Sequence, residues 1–260
     1  MSIVEFILLN VELFLLILVR VAGLFSIAPV LGNENVPMIT RLGLSVMISF
    51  IMLPLMHTIQ PTVLNNFPLY TYFVVQEFAV GIAIGFVGTV YFAMFFLAGT
   101  IMDRQTGFAL ANVIDPLTDM EVPIFGNFYN ILFMLLFLGI NGHHVFIKAL
   151  HDSYQYIPIG HTISINLNFV EFAIGLFRDI TLLAFVLSAP IMMTAFLANV
   201  MLGIFAKTMP QINVFVVGMP LRIIVGLLTV WITLQTVLPF SERFFDRIFR
   251  GVYNFMRILT

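Results

Sequence analysis

The sequence predicts an all-α protein that crosses a membrane with about six hydrophobic helices. Hydrophobic residues make up 61% of the 260 residues and charged residues only 9%, and the mean hydropathy is +1.08. A soluble domain carries about 25% charged residues. One crossing takes about 20 apolar residues, and the apolar runs of this chain are sufficient for six.

Proline, glycine and asparagine separate these runs, because they interrupt helices. The predicted segments are Ile3–Val30, Ile39–Met56, Leu69–Ile101, Ile124–Ile140, Phe172–Ile204 and Val214–Leu238. As single helices, the third and fifth would each be about 50 Å long, whereas a hydrocarbon core is about 30 Å thick. We expect them to tilt strongly, to break, or to leave the bilayer. Lys148–Asn168 has the composition of a solvated loop.

The sequence lacks the motifs that are typical of several classes of function. The chain has no cysteine, which excludes disulfides, thiolate metal sites and cysteine nucleophiles. His143 and His144 are adjacent, point to different sides of a helix and lack an HExxH motif, so we predict no metal and no cofactor. The absence of GxSxG and HExxH patterns argues against an intramembrane hydrolase. Because Glu5 and Glu12 precede the first basic residue, Arg20, we expect no cleaved signal peptide.

The segment Gly99–Pro123 is a polar island between two apolar runs. Its charged residues are Asp103, Arg104, Asp115, Asp119 and Glu121. Backbone that is not helical cannot face lipid, because its N–H and C=O groups would be unpaired there. We therefore predict a mobile segment at a water boundary or in a water-filled cavity.

Four charged residues lie within or at the start of apolar runs: Glu12, Arg20, Glu77 and Arg178. Such charges face protein or water and not lipid, so we predict that they are buried. They could form ion pairs between helices or line the route of a small secondary transporter. Transporters usually contain internal repeats, which this sequence does not clearly show. Gly81 and Gly85 form a GxxxG pair, which predicts close packing against another helix.

Residues Pro239–Thr260 predict a basic amphipathic helix. Polar residues recur every three or four positions, and apolar residues fill the opposite side. The polar set is Arg243, Arg247, Arg250, Asn254 and Arg257. Such a helix suits an anionic membrane surface or a partner groove, and its charge predicts a cytoplasmic C-terminus. A topology of six transmembrane helices would place Lys207 on the opposite side of the membrane from this tail. The positive charge of Lys207 therefore argues against that topology.

Five motifs in order give the chain a family resemblance over nearly its whole length. They are Ala28-Pro29 with Val36-Pro37 and Arg41; Gln76-Glu77 with Gly81 and Gly85; the run from Gly99 to Asp115-Pro116; Asn141-Gly142-His143 with Ile157–Gly160; and GIFAKTMPQINVFVVGMP, Gly203–Pro220. In these motifs the chain resembles the FliR family of flagellar export-gate subunits, which has relatives in injectisomes. Lys207 stands where many relatives have an arginine.

The resemblance implies a non-enzymatic subunit of a type III protein export gate in the bacterial inner membrane, at the flagellar basal body. Its expected partners are FliP-like, FliQ-like and FlhB-like subunits, membrane lipid, and unfolded substrates in transit. It implies a FliP-like front over residues 1–171, a FliQ-like hairpin over 172–238 and the basic tail over 239–260. An injectisome subunit, or a small secondary transporter, is the alternative.

Two sets of site residues follow from the same resemblance. A loop that plugs the pore would comprise Asp103, Gln105, Gly107, Phe108, Ala109, Leu110, Asn112, Asp115 and Pro116. A hairpin turn that contacts other subunits would comprise Lys207, Pro210, Asn213, Phe215, Gly218 and Pro220. A flexible loop of apolar residues and glycine can close a polypeptide-sized pore against ions.

Overall fold

The computed structural model describes residues 11–33, 35–56, 67–109, 123–160, 167–209, 211 and 213–259. Within these ranges the chain forms seven α-helices and no strand. They are α1 (Val11–Ile27), α2 (Met38–Met52), α3 (Phe67–Thr106), α4 (Ile124–Gly139), α5 (Gly142–Tyr156), α6 (Leu167–Thr208) and α7 (Val214–Ile258). A short 3-10 turn, Leu53–Met56, extends α2.

The chain divides into two compact units. The first unit comprises Met1–Tyr91, Phe137–Gly175 and Asp246–Thr260, and the second comprises Phe92–Leu136 and Leu176–Phe245. The long helices α3, α6 and α7 contribute to both units.

The helices confirm the predicted all-α membrane class. Four segments of the described chain are long and apolar enough to cross a membrane: Met38–Met56, Phe67–Thr106, Asn168–Thr208 and Val216–Ile258. The bent pair α4–α5, with a 69° bend, is a possible fifth. The described residues thus contain four or five candidate crossings, compared with the six predicted.

Three helices are longer than the sequence indicated. α3 has 40 residues, α6 has 42 and α7 has 45, so each measures about 60–68 Å. Even a tilt of about 40°, the upper end of the observed range, leaves them longer than a hydrocarbon core of about 30 Å. Part of each helix therefore lies outside the hydrocarbon region.

Three expectations about local structure are wrong. Residues 99–106 of the polar island belong to α3 and not to a loop. Lys148 lies in α5 and not in a solvated loop, because Phe146, Leu150 and Tyr154 bury one face of that helix. The basic tail is not a separate helix, since α7 continues through Pro239.

Glycines allow α1 and α3 to pack with their backbones in contact. A Cβ atom at Gly81 would clash with the carbonyl oxygen of Arg20. One at Gly23 would lie 2.6 Å from the Phe78 carbonyl oxygen, and one at Gly85 would lie 2.9 Å from that of Leu24. The close packing predicted from the GxxxG pair is confirmed, and α1 is the partner helix.

Phenylalanines form the core of the second unit. Phe95 of α3 lies with its ring centroid 4.5 Å from that of Phe133 of α4 and 5.1 Å from that of Phe244 of α7. Phe245 of α7 also contacts Phe133. Such pairs contribute about 0.5–1.5 kcal/mol each beyond the burial of their area. The cluster holds α3, α4 and α7 together.

Replacement of Gly81 by leucine should strongly destabilise the protein. The new side chain would meet the backbone of α1, which cannot move away as a side chain can, so the cost should exceed the roughly 1–3 kcal/mol typical of overpacking. The measurement is the thermal unfolding midpoint of the full-length chain in detergent. Gly43→Leu is the control, because nothing lies within 4 Å of a Cβ atom at Gly43. Equal midpoints for the two variants would contradict the packing described.

Candidate functional site

A buried arginine lies at the centre of the first unit. Arg20 of α1 is 0% exposed, and its Nε donates a hydrogen bond of 2.5 Å to Oε2 of Glu77 on α3. Its Nη1 donates to the Ser153 hydroxyl and its Nη2 to the Ile157 carbonyl oxygen, both at 3.0 Å. The guanidinium carbon lies 4.0 Å from the ring centroid of Tyr154. We call these five residues the Arg20 cluster.

Each contact of the cluster has an energetic reason. An isolated buried charge is costly, and removal of one member of a buried pair costs about 3–5 kcal/mol. Glu77, which is 1% exposed, neutralises Arg20, while the hydroxyl and the carbonyl oxygen satisfy further N–H groups. The cluster therefore ties α1 to α3 and to the end of α5.

The other two charged residues predicted to be buried are placed differently. Glu12, in the first turn of α1, and Arg178, on α6, are both exposed in the single chain. The Tyr70 hydroxyl of α3 donates a hydrogen bond to the Glu12 carbonyl oxygen, so α3 contacts the backbone of α1 there while the Glu12 side chain stays exposed.

Asp103 connects the two ends of the proposed plug segment. This residue is only 5% exposed, and its carboxylate oxygens accept hydrogen bonds from the amides of Ile124, at 2.6 Å, and Phe125, at 3.2 Å. The first amides of a helix have no partner within the helix, and a carboxylate there also interacts favourably with the helix dipole. Asp103 therefore caps α4 from the end of α3, a role that its place in a polar run did not reveal.

Glycines and an aromatic contact reinforce this connection. A Cβ atom at Gly99 would clash with the backbone of Gly126, so α3 and α4 lie in close contact. Gly107 has a φ of +91°, in the region that favours glycine, and it ends α3. The ring of Phe108 then packs edge-on against Phe125, at 5.5 Å.

The remaining residues predicted for the plug fall into two groups. Gln105, in α3, and Ala109, just beyond it, are half-buried. Leu110, Asn112, Asp115 and Pro116 lie outside the described residues, as do Asp119 and Glu121.

The predicted turn lies between α6 and α7. Lys207 is exposed near the end of α6. Asn213 precedes α7, and its carbonyl oxygen accepts hydrogen bonds from the amides of Val216 and Val217. A Cβ atom at Gly218 would lie 3.1 Å from Leu202, which places the start of α7 beside the end of α6. Further along, the hydroxyls of Thr194 and Thr229 are hydrogen-bonded at 3.0 Å.

Three residues of this predicted set remain. Pro220 is exposed within the first turns of α7. Pro210 and the side chain of Phe215 lie outside what the structure describes.

The apolar face of the basic tail packs inside the protein. Its buried residues in the first unit are Ile248, Val252, Phe255, Met256 and Leu259. Arg243, Arg250, Asn254 and Arg257 are exposed, whereas Arg247 is half-buried, and Arg250 pairs with Asp246. The Tyr253 hydroxyl donates a hydrogen bond of 2.8 Å to Asp152 of α5. The apolar face is therefore not available to the membrane surface, contrary to one of the two uses expected from the sequence.

Comparison with known proteins shows the family of this chain. The family model described as "Bacterial export proteins, family 1" matches residues 11–248. The flagellar biosynthetic protein FliR of Bacillus subtilis is 30% identical over 248 residues, covering 95% of each chain. The chain belongs to the FliR family of bacterial export proteins. FliR of Escherichia coli is 32% identical over 236 residues, which cover 89% of this chain and 88% of that protein.

A relative from another secretion system matches less of the FliR-family chain. The secretion system apparatus protein SsaT of Salmonella typhimurium is 28% identical over 176 residues, which cover 66% of this chain and 68% of SsaT.

Sequence reasoning missed the contribution of α5 to the Arg20 cluster. Ser153, Tyr154 and Ile157 all lie within Lys148–Asn168, the stretch predicted to be a loop. The missed signal was the spacing of Phe146, Leu150 and Tyr154, which repeats every four residues as an amphipathic helix requires.

Variants at Arg20 and Glu77 should be strongly non-additive. Arg20→Met or Glu77→Met alone leaves one charge buried without its partner and should cost about 3–5 kcal/mol, whereas the double variant removes both charges and should cost less than the sum. Thermal unfolding of the full-length chain measures this, with Arg178→Met as the exposed control. Additive shifts would show that the two charges do not interact.

Asp103→Ala should loosen the start of α4, because two amides lose their acceptor, at a cost of about 1–2 kcal/mol. Hydrogen exchange at residues 124–127 should accelerate. Asp103→Asn should give an intermediate rate, since it keeps one acceptor oxygen. In the control Asp246→Ala, which removes only an exposed ion pair, the rate at residues 124–127 should not change. Unchanged exchange in Asp103→Ala would rule out the capping role.

Proposed function

We propose that this FliR-family chain is a non-enzymatic subunit of the flagellar type III export gate, built together with FliP-like and FliQ-like subunits and next to a FlhB-like subunit. The observation that carries the proposal is the length of the exposed apolar surface of α6. That surface extends from Val170, 52% exposed, to Phe205, 51% exposed.

The length of this surface supports the presence of companion subunits. Thirty-five residues of helix span about 52 Å, and at a tilt of about 40° they still span about 40 Å along the membrane normal. A hydrocarbon core covers about 30 Å. The remaining apolar side chains would face water if the chain were alone, and apolar patches of this size mark interaction sites. Neighbouring subunits would cover them.

A flagellar role is supported by the relatives. The proteins from Bacillus subtilis and Escherichia coli are both named flagellar biosynthetic protein FliR, and they match about nine-tenths of the chain or more. SsaT, named for a secretion system apparatus, matches about two-thirds. An injectisome subunit is therefore the second candidate.

In this proposal α6 and the apolar part of α7 form the FliQ-like part, and the helices before them form the FliP-like part. The turn around Lys207 and Asn213 is exposed and would contact neighbouring subunits. The basic face of residues 243–257 would dock against the FlhB-like subunit.

We also propose that residues 107–123 plug the conduit when no substrate is passing. Asp103 binds the amide of Ile124, and Gly99 lies against Gly126, so α3 and α4 are joined independently of the segment between them. The soft apolar side chains of Phe108, Leu110 and Met120 would make a seal that does not bind a substrate tightly.

Co-purification tests the assembly. Tagged full-length chain expressed with its FliP-like and FliQ-like subunits should elute as one hetero-oligomer, and chain expressed alone should aggregate, because the outer part of α6 is then uncovered. A monodisperse chain that behaves identically with and without these subunits would contradict the proposal.

Ion leakage tests the plug. Replacement of residues 107–111 by a shorter linker should raise the conductance of the assembled gate in planar bilayers. The matched control shortens residues 160–164, between α5 and α6, and should leave conductance low. Equal conductance in the two deletions would remove the plug assignment while leaving the assembly intact.

A further inference from the structure

A large apolar cavity lies in the first unit, and no residue of the Arg20 cluster lines it. Its volume is about 620 Å³, within the range of about 300–1,000 Å³ that is typical of small-molecule sites. The end of α1, the second half of α2 and the bend between α4 and α5 enclose it. Its apolar lining includes Phe25, Leu44, Ile48, Ile51, Met52 and Leu138.

The cavity is lined by the helix that most resembles a plain membrane crossing. With its 3-10 extension, α2 covers the 19 residues Met38–Met56, or roughly 28 Å, close to the thickness of a hydrocarbon core. Three residues of the lining are also largely exposed: Met47 (54%), Ile51 (57%) and Leu55 (61%). The cavity therefore opens on the face of α2 that meets acyl chains.

One edge of the cavity is basic. His143, His144, Lys148 and His151 of α5 all line it. Lys148 is exposed, and in the ranges that the structure describes it forms no ion pair. The nearby acidic group, Asp152, lies 3.3 Å from His151 and accepts the Tyr253 hydroxyl. The edge thus keeps the positive charge of Lys148.

The same edge contains the N-terminus of α5. Asn141 precedes it with a φ of 57° and provides no side-chain cap, so the first amides of the helix add to the positive potential at the cavity. The buried Nδ1 of His143 has no hydrogen-bond partner among the described residues.

We propose that this cavity binds an anionic phospholipid, with an acyl chain among the apolar side chains and the phosphate against Lys148 and the neighbouring histidines. Basic pockets between membrane helices recognise acidic headgroups in this way. A peptide fits less well, because the apolar lining offers almost no partners for its backbone N–H and C=O groups. A lipid needs polar partners only at its headgroup, where this cavity provides them.

Native mass spectrometry of the full-length chain, titrated with phosphatidylglycerol or phosphatidylcholine, tests the proposal. Phosphatidylglycerol should bind more tightly. Lys148→Gln should weaken its binding about fivefold, the effect of roughly 1 kcal/mol for one basic residue. It should weaken phosphatidylcholine binding less, because the choline ammonium of that lipid already neutralises its phosphate. The control Arg178→Gln removes an exposed charge elsewhere and should change neither. Equal binding of the two lipids, or equal effects of the two variants, would overturn the proposal.

A second pair of variants tests the cavity itself. Met47→Trp fills it and should weaken the binding of both lipids. Met201→Trp alters a residue of the same exposure, 54%, on α6 and should not. Thermal unfolding verifies that each variant is folded. If the Met47→Trp variant does not fold, the binding of the two lipids by the Lys148→Gln variant decides whether the proposal holds.

Photo-crosslinking identifies the occupant in the membrane. A benzoylphenylalanine at position 51 should give an adduct of phospholipid mass. A cross-link to a second copy of the chain or to another protein would show that the cavity is a protein interface and would overturn the lipid assignment.

Discussion

The guanidinium of Arg20 is the constraint on which the first unit depends. A charge this deeply buried is tolerated only when other groups neutralise and hydrogen-bond it, and those groups come from three parts of the chain. Glu77 lies on α3, Ser153 lies on α5, and Ile157 follows α5. The close backbone contact of α1 with α3 at Gly81 makes the pairing of Arg20 with Glu77 possible. When the charge and the N–H groups of Arg20 all have partners, the relative positions of α1, α3 and α5 are fixed.

In the second unit, α3 and α4 are held together although residues 107–123 separate them in the sequence. Asp103 does so by binding the amides that begin α4, and the phenylalanines around Phe133 bury the rest of the contact. The outer face of α6 stays apolar and uncovered over a length greater than the thickness of a hydrocarbon core. A folded interior with such an outer surface is what a subunit of a larger membrane assembly requires.

Local patterns in the sequence predicted much of this structure, and long-range pairings account for what they missed. The spacing of Gly81 and Gly85 predicted close helix packing because it depends on one helix face. The partner of Asp103 lies more than twenty residues further on, so the sequence showed only a polar run. The second half of α5, from Lys148 onward, has the composition of a solvated loop, and Pro158 and Gly160 follow it, so the sequence predicted a loop there. Pro239 suggested a boundary, but the packing of Phe244 and Phe245 keeps α7 continuous at the loss of one hydrogen bond.

Glu77 is a buried structural partner of Arg20 and not part of a water-filled route. Labelling of carboxylates by a water-soluble carbodiimide, read by mass spectrometry of the folded full-length chain, tests this directly. Glu77 should stay unmodified under conditions in which the exposed Glu171 and Glu242 are fully modified. Modification of Glu77 to the same extent as those two residues would contradict this role.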